Sequence, residues 1–381
     1  MAGTSNRIVA YDHARALAVV GMIFVNTCKI MDINRFKPWW LDALVRLATG
    51  RAAVLFVMLA GAGIVLAYDR ASDNEKPLVR GRMIARASWL WLFGILLTTV
   101  WNADILHFYT AYILFGVLLL DRRTARLKKL LAIMTAVSMI VCALVTYDYE
   151  GEQILEEVFD SGLLGLVVDY FFFSTFYPVF PWFCFFLLGM LIGRLERSPN
   201  RLRFRFIFAA SGVCLVGIEL FSALLNTETI AGRWVDIELP LWRAFSLSEA
   251  FPVGPLFVFS AGASGLAAIS LFRLLPERKS LWGSFSPPAA FGRLSLTFYI
   301  AHILIGTVYR RWIGNPHAVV SNDQALFFST VFILAGMVFA AFWMRHFKRG
   351  PLEVVLDALS RLFLKRRSAS PRHPPGALSD G

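Results

Sequence analysis

Apolar runs close to the ~20 residues needed to cross a bilayer recur along the whole chain. Ten are read, at roughly 14–32, 52–68, 83–101, 104–120, 128–146, 177–193, 204–225, 252–274, 291–312 and 325–344. A chain of 381 residues has room for two or three soluble domains, but this one is 57% hydrophobic and only 17% charged. Soluble domains carry about 25% charged residues. The expected fold is all-α, a polytopic integral membrane protein of about ten transmembrane helices forming one bundle over residues 1–365. The tail from Arg366, "RRSASPRHPPGALSDG", is Pro/Ser-rich and reads as disordered.

The net charge of +12 raises nucleic acid as a partner, and its distribution removes that reading. With the N-terminus placed in the cytoplasm, 29 of the 38 Lys and Arg fall in cytoplasmic segments and 9 on the opposite face. That bias follows the positive-inside rule and puts both termini in the cytoplasm. The basicity orients the protein, and no nucleic-acid partner is expected. Cys28, Cys142, Cys184 and Cys214 each lie within a span, without metal-ligand spacing or a disulfide framework. The first span has a basic flank and no small-residue cleavage site, so it reads as a retained anchor. Two outer connections are long. Residues 147–178 are acidic and then aromatic, and can hold an interfacial helix; 226–251 carries Trp234, Trp242, Asp236 and Glu238.

Polar residues inside a span are expensive, about 2.5–3.5 kcal/mol for an aspartate at a helix centre, and therefore informative. In "YDHARALAVVGMIFVNTC", Asp12 and Arg15 are three apart, and Val19, Met22 and Asn26 continue that helical face. The stripe runs roughly 21 Å, from an ion pair at the cytoplasmic end to an amide near the outer leaflet. A structural Asp12–Arg15 pair that only anchors the helix end is the plainer alternative. In "WNADILHFY", Asp104 and His107 are again three apart, at the outer end of span four. A carboxylate one turn from an imidazole orients it as a general base. Asp104 reads equally as a helix cap, which leaves His107 unexplained. In "FGRLSLTFYIAHILIG", Ser295, Tyr299 and His302 form a stripe at i, i+4 and i+7, against the alternative that His302 is a packing residue. Arg80, Arg82 and Arg86 open span three near the depth of Arg15. They are either snorkelling anchors or a clamp for phosphate.

These stretches carry a resemblance. "RIVAYDHARALAVVGMIFVN", "GRAAVLFVMLAGAGIVLAY", "DILHFY", "FGRLSLTFYIAHILIG" and "FKRGPLEVVLDAL" resemble, in order, landmarks of the YeiB-like bacterial membrane proteins (domain of unknown function 418) over about residues 7–360. The first and ninth spans are also similar to the acyltransferase-3 family, and the heparan-glucosaminide acetyltransferases look like more distant relatives. The resemblance implies a bacterial cytoplasmic (inner) membrane protein that passes an acyl group from cytoplasmic acyl-CoA to a hydroxyl or amine. The acceptor would be a glycan or a lipid-linked molecule. Arg15, Arg80, Arg82 and Arg86 would contact the donor, and Asp104, His107, Tyr299 and His302 would line the chamber. Where acyltransferase-3 proteins carry a first-span histidine, this chain has Asn26, which cannot act as a base. Either His107 or His302 takes that role, with Asn26 or Tyr299 at the oxyanion, or this branch has no such chemistry.

On this reading acyl-CoA is the donor substrate, no cofactor or metal is required, and membrane lipids are further partners, with a homo-oligomer left open. Two other classes stay open. One is a transporter or flippase of a small acid or lipid using Asp104, His107 and His302 as a proton relay. The other is a non-catalytic membrane partner protein. The catalytic reading expects Asn26, His107 and His302 to line one cavity.

Overall fold

A computed structural model describes residues 7–33, 38–144, 162, 177–225, 248, 253–276, 286–313 and 320–369. All regular structure among them is helical: α1 Val9–Met31, α2 Trp39–Ala48, α3 Arg51–Asp69, α4 Lys76–Thr98, α5 Leu106–Leu119, α6 Thr124–Leu144, α7 Val179–Leu195, α8 Arg201–Leu225, α9 Pro255–Leu274, α10 Pro287–Arg293, α11 Ser295–Ile313, α12 Asn322–His346 and α13 Pro351–Ala369. Local chemistry sets several ends. Ser321 and Gln324 form a capping box at the start of α12. Ser286 caps α10 by accepting from the Ala289 amide, ahead of prolines at the first helical positions.

Each of the ten apolar runs falls on a helix, yet fewer helices meet the requirements for crossing a bilayer. Among the described residues five are long and apolar enough, with α2 and α3 counted as one (Trp39–Asp69), and six if α10 and α11, bent by 82°, form one span. The difference is physical. Helix α5 has 14 residues, about 21 Å against a hydrocarbon core of ~30 Å. Helices α4 and α6 begin with cationic turns, Lys76–Arg86 and Arg126–Lys129. Helix α2, between the first two apolar runs, buries Leu41 and Val45 while leaving Trp39 81% and Leu44 55% exposed. That is the pattern of a helix lying in an interface. The final helix continues to Ala369, past Arg366. The expected interfacial segment at 147–178, the rest of the tail, and the 226–251 loop apart from Ser248 lie outside the described residues.

Small residues let the bundle close. Helices α3 and α7 make the most extensive pair, with glycine on both sides of the crossing. A Cβ on Gly189 would land on the Met58 carbonyl, and one on Gly61 on the Phe186 carbonyl. This is the small-residue contact that substitutes in lipid for a hydrophobic driving force between helices. Trp182, Phe185, Phe186 and Phe257 fill the centre. Helix α8 instead turns Phe206, Val213, Val216 and Leu220 outward.

Ion pairs tie the helix ends at one face, here called the arginine-rich end. The Glu196 carboxylate after α7 accepts from Tyr11 of α1 at 3.1 Å and pairs with Arg273 of α9 at 2.7 Å. Arg197 forks onto Asp69 with two contacts of 2.6 Å. Tyr68 at 2.5 Å and Arg80 both donate to Asp121 in the α5–α6 turn. They hold its carboxyl below the usual carboxylate range. At the other end, buried Arg51 of α3 meets Glu219 of α8, and Ser260 of α9 bonds both at 2.7 and 2.5 Å.

Overpacking a tight crossing costs about 1–3 kcal/mol. Gly61→Ala and Gly189→Ala should therefore lower the melting temperature in detergent by several degrees. Gly212→Ala, whose Cβ meets nothing within 4 Å, should leave it unchanged or raise it.

Candidate functional site

A cavity of about 570 Å³ lies between α1, α3, α4, α5, α10, α11 and α13. On α3 its lining runs from Arg70 to Phe56, about 21 Å at 1.5 Å per residue. The cavity is polarised along that axis. Arg7, Arg15, Arg70, Arg86 and Arg293 surround the arginine-rich end with Asp12 and Glu353, an excess of three positive charges by count. Phe56, Leu59, Ile64, Leu90, Leu106 and Ile113 make the remainder apolar.

The expected Asp12–Arg15 pair is present at 3.0 Å, and Asp12 also receives a fork from Arg7 at 2.6 and 2.8 Å. Asp12 is buried, so its two partners compensate a desolvated carboxylate. The guanidinium of Arg15 lies over Gly63, which has no side chain to fill that space. Arg86 forms no ion pair or hydrogen bond among the described residues. The other two arginines of the expected donor clamp lie elsewhere. Arg80 is spent on Asp121 and Tyr68, and neither Arg80 nor Arg82 lines the cavity. Spacing turns Arg80 to another face of α4, whereas Arg82 lies one turn before Arg86 on the same face and still falls outside the lining.

Ser295 does line the cavity, at the 82° bend between α10 and α11. The bend exposes the first amides of α11, and Glu353 of α13 takes them. Its carboxylate accepts from Leu296 N at 2.9 Å, Thr297 N at 3.2 Å and the Thr297 hydroxyl at 2.5 Å. An acid at a helix N-terminus also meets the positive end of the helix dipole. Sequence reading missed Glu353, although it closes the quoted "RGPLE". Arg7 and Arg293 were missed too, because a positive-inside count treats such residues only as anchors. Tyr109 is a further omission. It lines the cavity one turn past Leu106, and its buried hydroxyl has no hydrogen-bond partner among the described residues.

The remaining expected residues form a separate polar chain. Asp104 both caps and orients: its Oδ2 accepts from the His107 amide at 3.2 Å and lies 3.1 Å from His107 Nδ1. Its Oδ1 accepts from the Tyr299 hydroxyl at 3.1 Å, while that hydroxyl accepts from Ile105 N at 3.3 Å. Three residues along α11, His302 Nδ1 donates to the Phe298 carbonyl at 3.0 Å. Its Nε2 is then the acceptor for the Asn26 amide at 3.0 Å. The rings of Tyr299 and His302 pack edge-on at 5.6 Å.

Spans one, four and nine thus converge, but not around the expected hollow. Asn26, His107, Tyr299 and His302 are absent from the cavity lining. His302 and Tyr299 are buried with their polar atoms engaged; His107 keeps 13% side-chain exposure. The cavity stops at Leu106, the residue before His107. A second histidine, His13, is buried with Nε2 3.0 Å from Ser286 Oγ and Nδ1 3.1 Å from the Val9 carbonyl. Those partners fix the register of α1 against α10.

Residues 7–217 match the family model described as heparan-alpha-glucosaminide N-acetyltransferase, catalytic. Residues 195–362 match a protein family of unknown function, DUF418. The uncharacterized protein YxaH of Bacillus subtilis (strain 168) is 24% identical, covering 92% of this chain and 93% of its own length. No solved structure matches. The first of these matches covers more than half the chain, and with it the α1, α3, α4 and α5 walls of the cavity. The chain belongs to the heparan-alpha-glucosaminide N-acetyltransferase catalytic family, a membrane acyltransferase-like group, with a DUF418 second half.

Proposed function

We propose that the protein is a transmembrane acyltransferase of the bacterial cytoplasmic membrane, with about ten membrane-crossing helices and both termini inside. The arginine-rich end then faces the cytoplasm. The observation that carries the reading is Arg86, which lines the polar end of an otherwise apolar cavity and forms no ion pair or hydrogen bond among the described residues. An elongated ligand with a multiply charged anionic head and a less polar arm fits that gradient, and acyl-CoA is such a ligand. Its phosphates would rest on Arg7, Arg15, Arg86 and Arg293, which can fork onto phosphate oxygens. The arm would run along α3 so that the thioester reaches the Leu106 end.

The acceptor, a hydroxyl or amine on a glycan or lipid-linked molecule, would approach from the opposite face toward His107. With Nδ1 facing Asp104, His107 Nε2 would accept the acceptor proton as the nucleophile bonds to the thioester carbonyl. The tetrahedral intermediate then collapses. The C–S bond breaks, the coenzyme A thiolate takes the proton from the imidazolium, and it departs through the cavity. Leu106 stands between thioester and imidazole, so its displacement belongs to the catalytic cycle. Tyr299, His302 and Asn26 would hold Asp104 and α11 in register as positioning residues.

Acyl-CoA turnover by the purified protein tests this reading. Arg86→Gln should raise KM for acyl-CoA by about tenfold or more, from loss of a charged hydrogen-bond donor, with a smaller effect on kcat. His107→Ala should lower kcat by about 10²–10⁴ with KM little changed. Undiminished turnover in His107→Ala would end its role as base, and no acyl-CoA binding by the wild type would end the whole reading. Gly63→Phe supplies a separate check. A Cβ there meets only Arg15, at 3.8 Å, so the larger ring should enter the cavity and abolish acyl-CoA binding while the melting temperature is retained.

A further inference from the structure

The turn between α5 and α6 carries a second concavity of about 550 Å³, lined by Leu118, Asp121, Arg122, Arg123 and Arg126. It lies at the arginine-rich end but shares no lining residue with the first cavity. Its charge is unbalanced. Asp121 is committed to Arg80 and Tyr68, and Arg122, Arg123 and Arg126 form no ion pair among the described residues. Topology alone explains a basic turn, but it does not explain what accompanies the charges. Leu118, beside the three guanidiniums, is 72% exposed.

Helix α6 extends this pairing of cation and apolar surface. Arg126, Ile133, Val137 and Ile140 fall at i, i+7, i+11 and i+14, one face of the helix. The three apolar members are exposed at 47%, 39% and 57%. From Arg126 to Ile140 is about 21 Å, enough to cover one leaflet of a ~30 Å core. Helix α6 packs on α7 and, more lightly, on α9, and among the described residues nothing covers this exposed face. A free anion would use the arginines and ignore the stripe; an apolar partner would do the reverse.

We propose that this groove binds an anionic phospholipid. Its phosphate sits among Arg122, Arg123 and Arg126, and its acyl chains lie along Leu118 and the Ile133–Val137–Ile140 stripe. Charge complementarity selects the headgroup, since clustered basic residues beside a membrane helix attract anionic lipid. The apolar stripe selects a lipid over a soluble phosphate. The site is independent of the acyl-transfer reading.

Thermal unfolding of the full-length protein in detergent tests it, with phosphatidylglycerol, phosphatidylcholine or sn-glycerol 3-phosphate added. Phosphatidylglycerol should raise the melting temperature by a few degrees, and the other two should not. The triple variant Arg122→Gln, Arg123→Gln, Arg126→Gln should keep the lipid-free melting temperature and lose most of that rise. Arg126→Gln alone should lose part of it, which keeps the test open if the triple variant misfolds. Arg203→Gln with Arg205→Gln, exposed cations at the start of α8, should retain the rise in full. An equal rise with sn-glycerol 3-phosphate or phosphatidylcholine would overturn the proposal. So would no rise at all, an undiminished rise in the α6 variants, or an equal loss in the α8 control.

Discussion

A carboxylate taken out of water must be repaid by donors close at hand, and this requirement organises the bundle. Asp12 is held by Arg7 and Arg15, Asp104 by His107 and Tyr299, and Glu196 by Tyr11 and Arg273. Glu219 is held by Arg51 and two serines, and Glu353 by the first turn of α11. Four of the five join helices far apart in sequence: α5 to α11, α1 to α7 and α9, α3 to α8 and α9, and α11 to α13. Lipid gives apolar side chains little reason to prefer one another. These polar ties therefore specify which helix ends meet.

The cavity follows from where the ties and close crossings fall. Glycines bring α3 against α7 and α10 against α1, so those pairs leave no space between them. The opposite side of α3 is open, because Gly63 presents no side chain to Arg15. At the inner end α4 and α5 close again. A Cβ on Gly94 would press on the His107 backbone and on Asp104 Oδ2, so the crossing that holds the Asp104–His107 pair also seals the hollow beneath it. An arginine-lined entrance thus stands at one end of the hollow, and the oriented imidazole of His107 lies outside its lining, next in sequence to Leu106.

Hydropathy located the apolar part of all ten helices, because the apolar run is a local property of the chain, and missed the polar first turns of α1 and α4. Five or six of the described helices meet the length and apolarity needed to span, because α5 is short and α4 and α6 open on cationic turns. The Asp104–His107 and Asp12–Arg15 pairs were legible because their partners are three residues apart on one helix. Asn26–His302 and Tyr299–Asp104 were legible only as polar stripes: partners nearly two or three hundred residues apart have no signature in spacing. For the same reason the sequence did not distinguish arginines that line the cavity (Arg7, Arg86, Arg293) from Arg80, which serves a turn. Glu353 escaped because its role depends on an 82° bend that no residue pattern announced.

A structure of the protein determined with coenzyme A bound is decisive. The diphosphate should lie among Arg15, Arg86 and Arg293, with the thiol pointing along α3 toward Leu106. Coenzyme A found at another surface, or reversed with its thiol at the arginines, would contradict this placement.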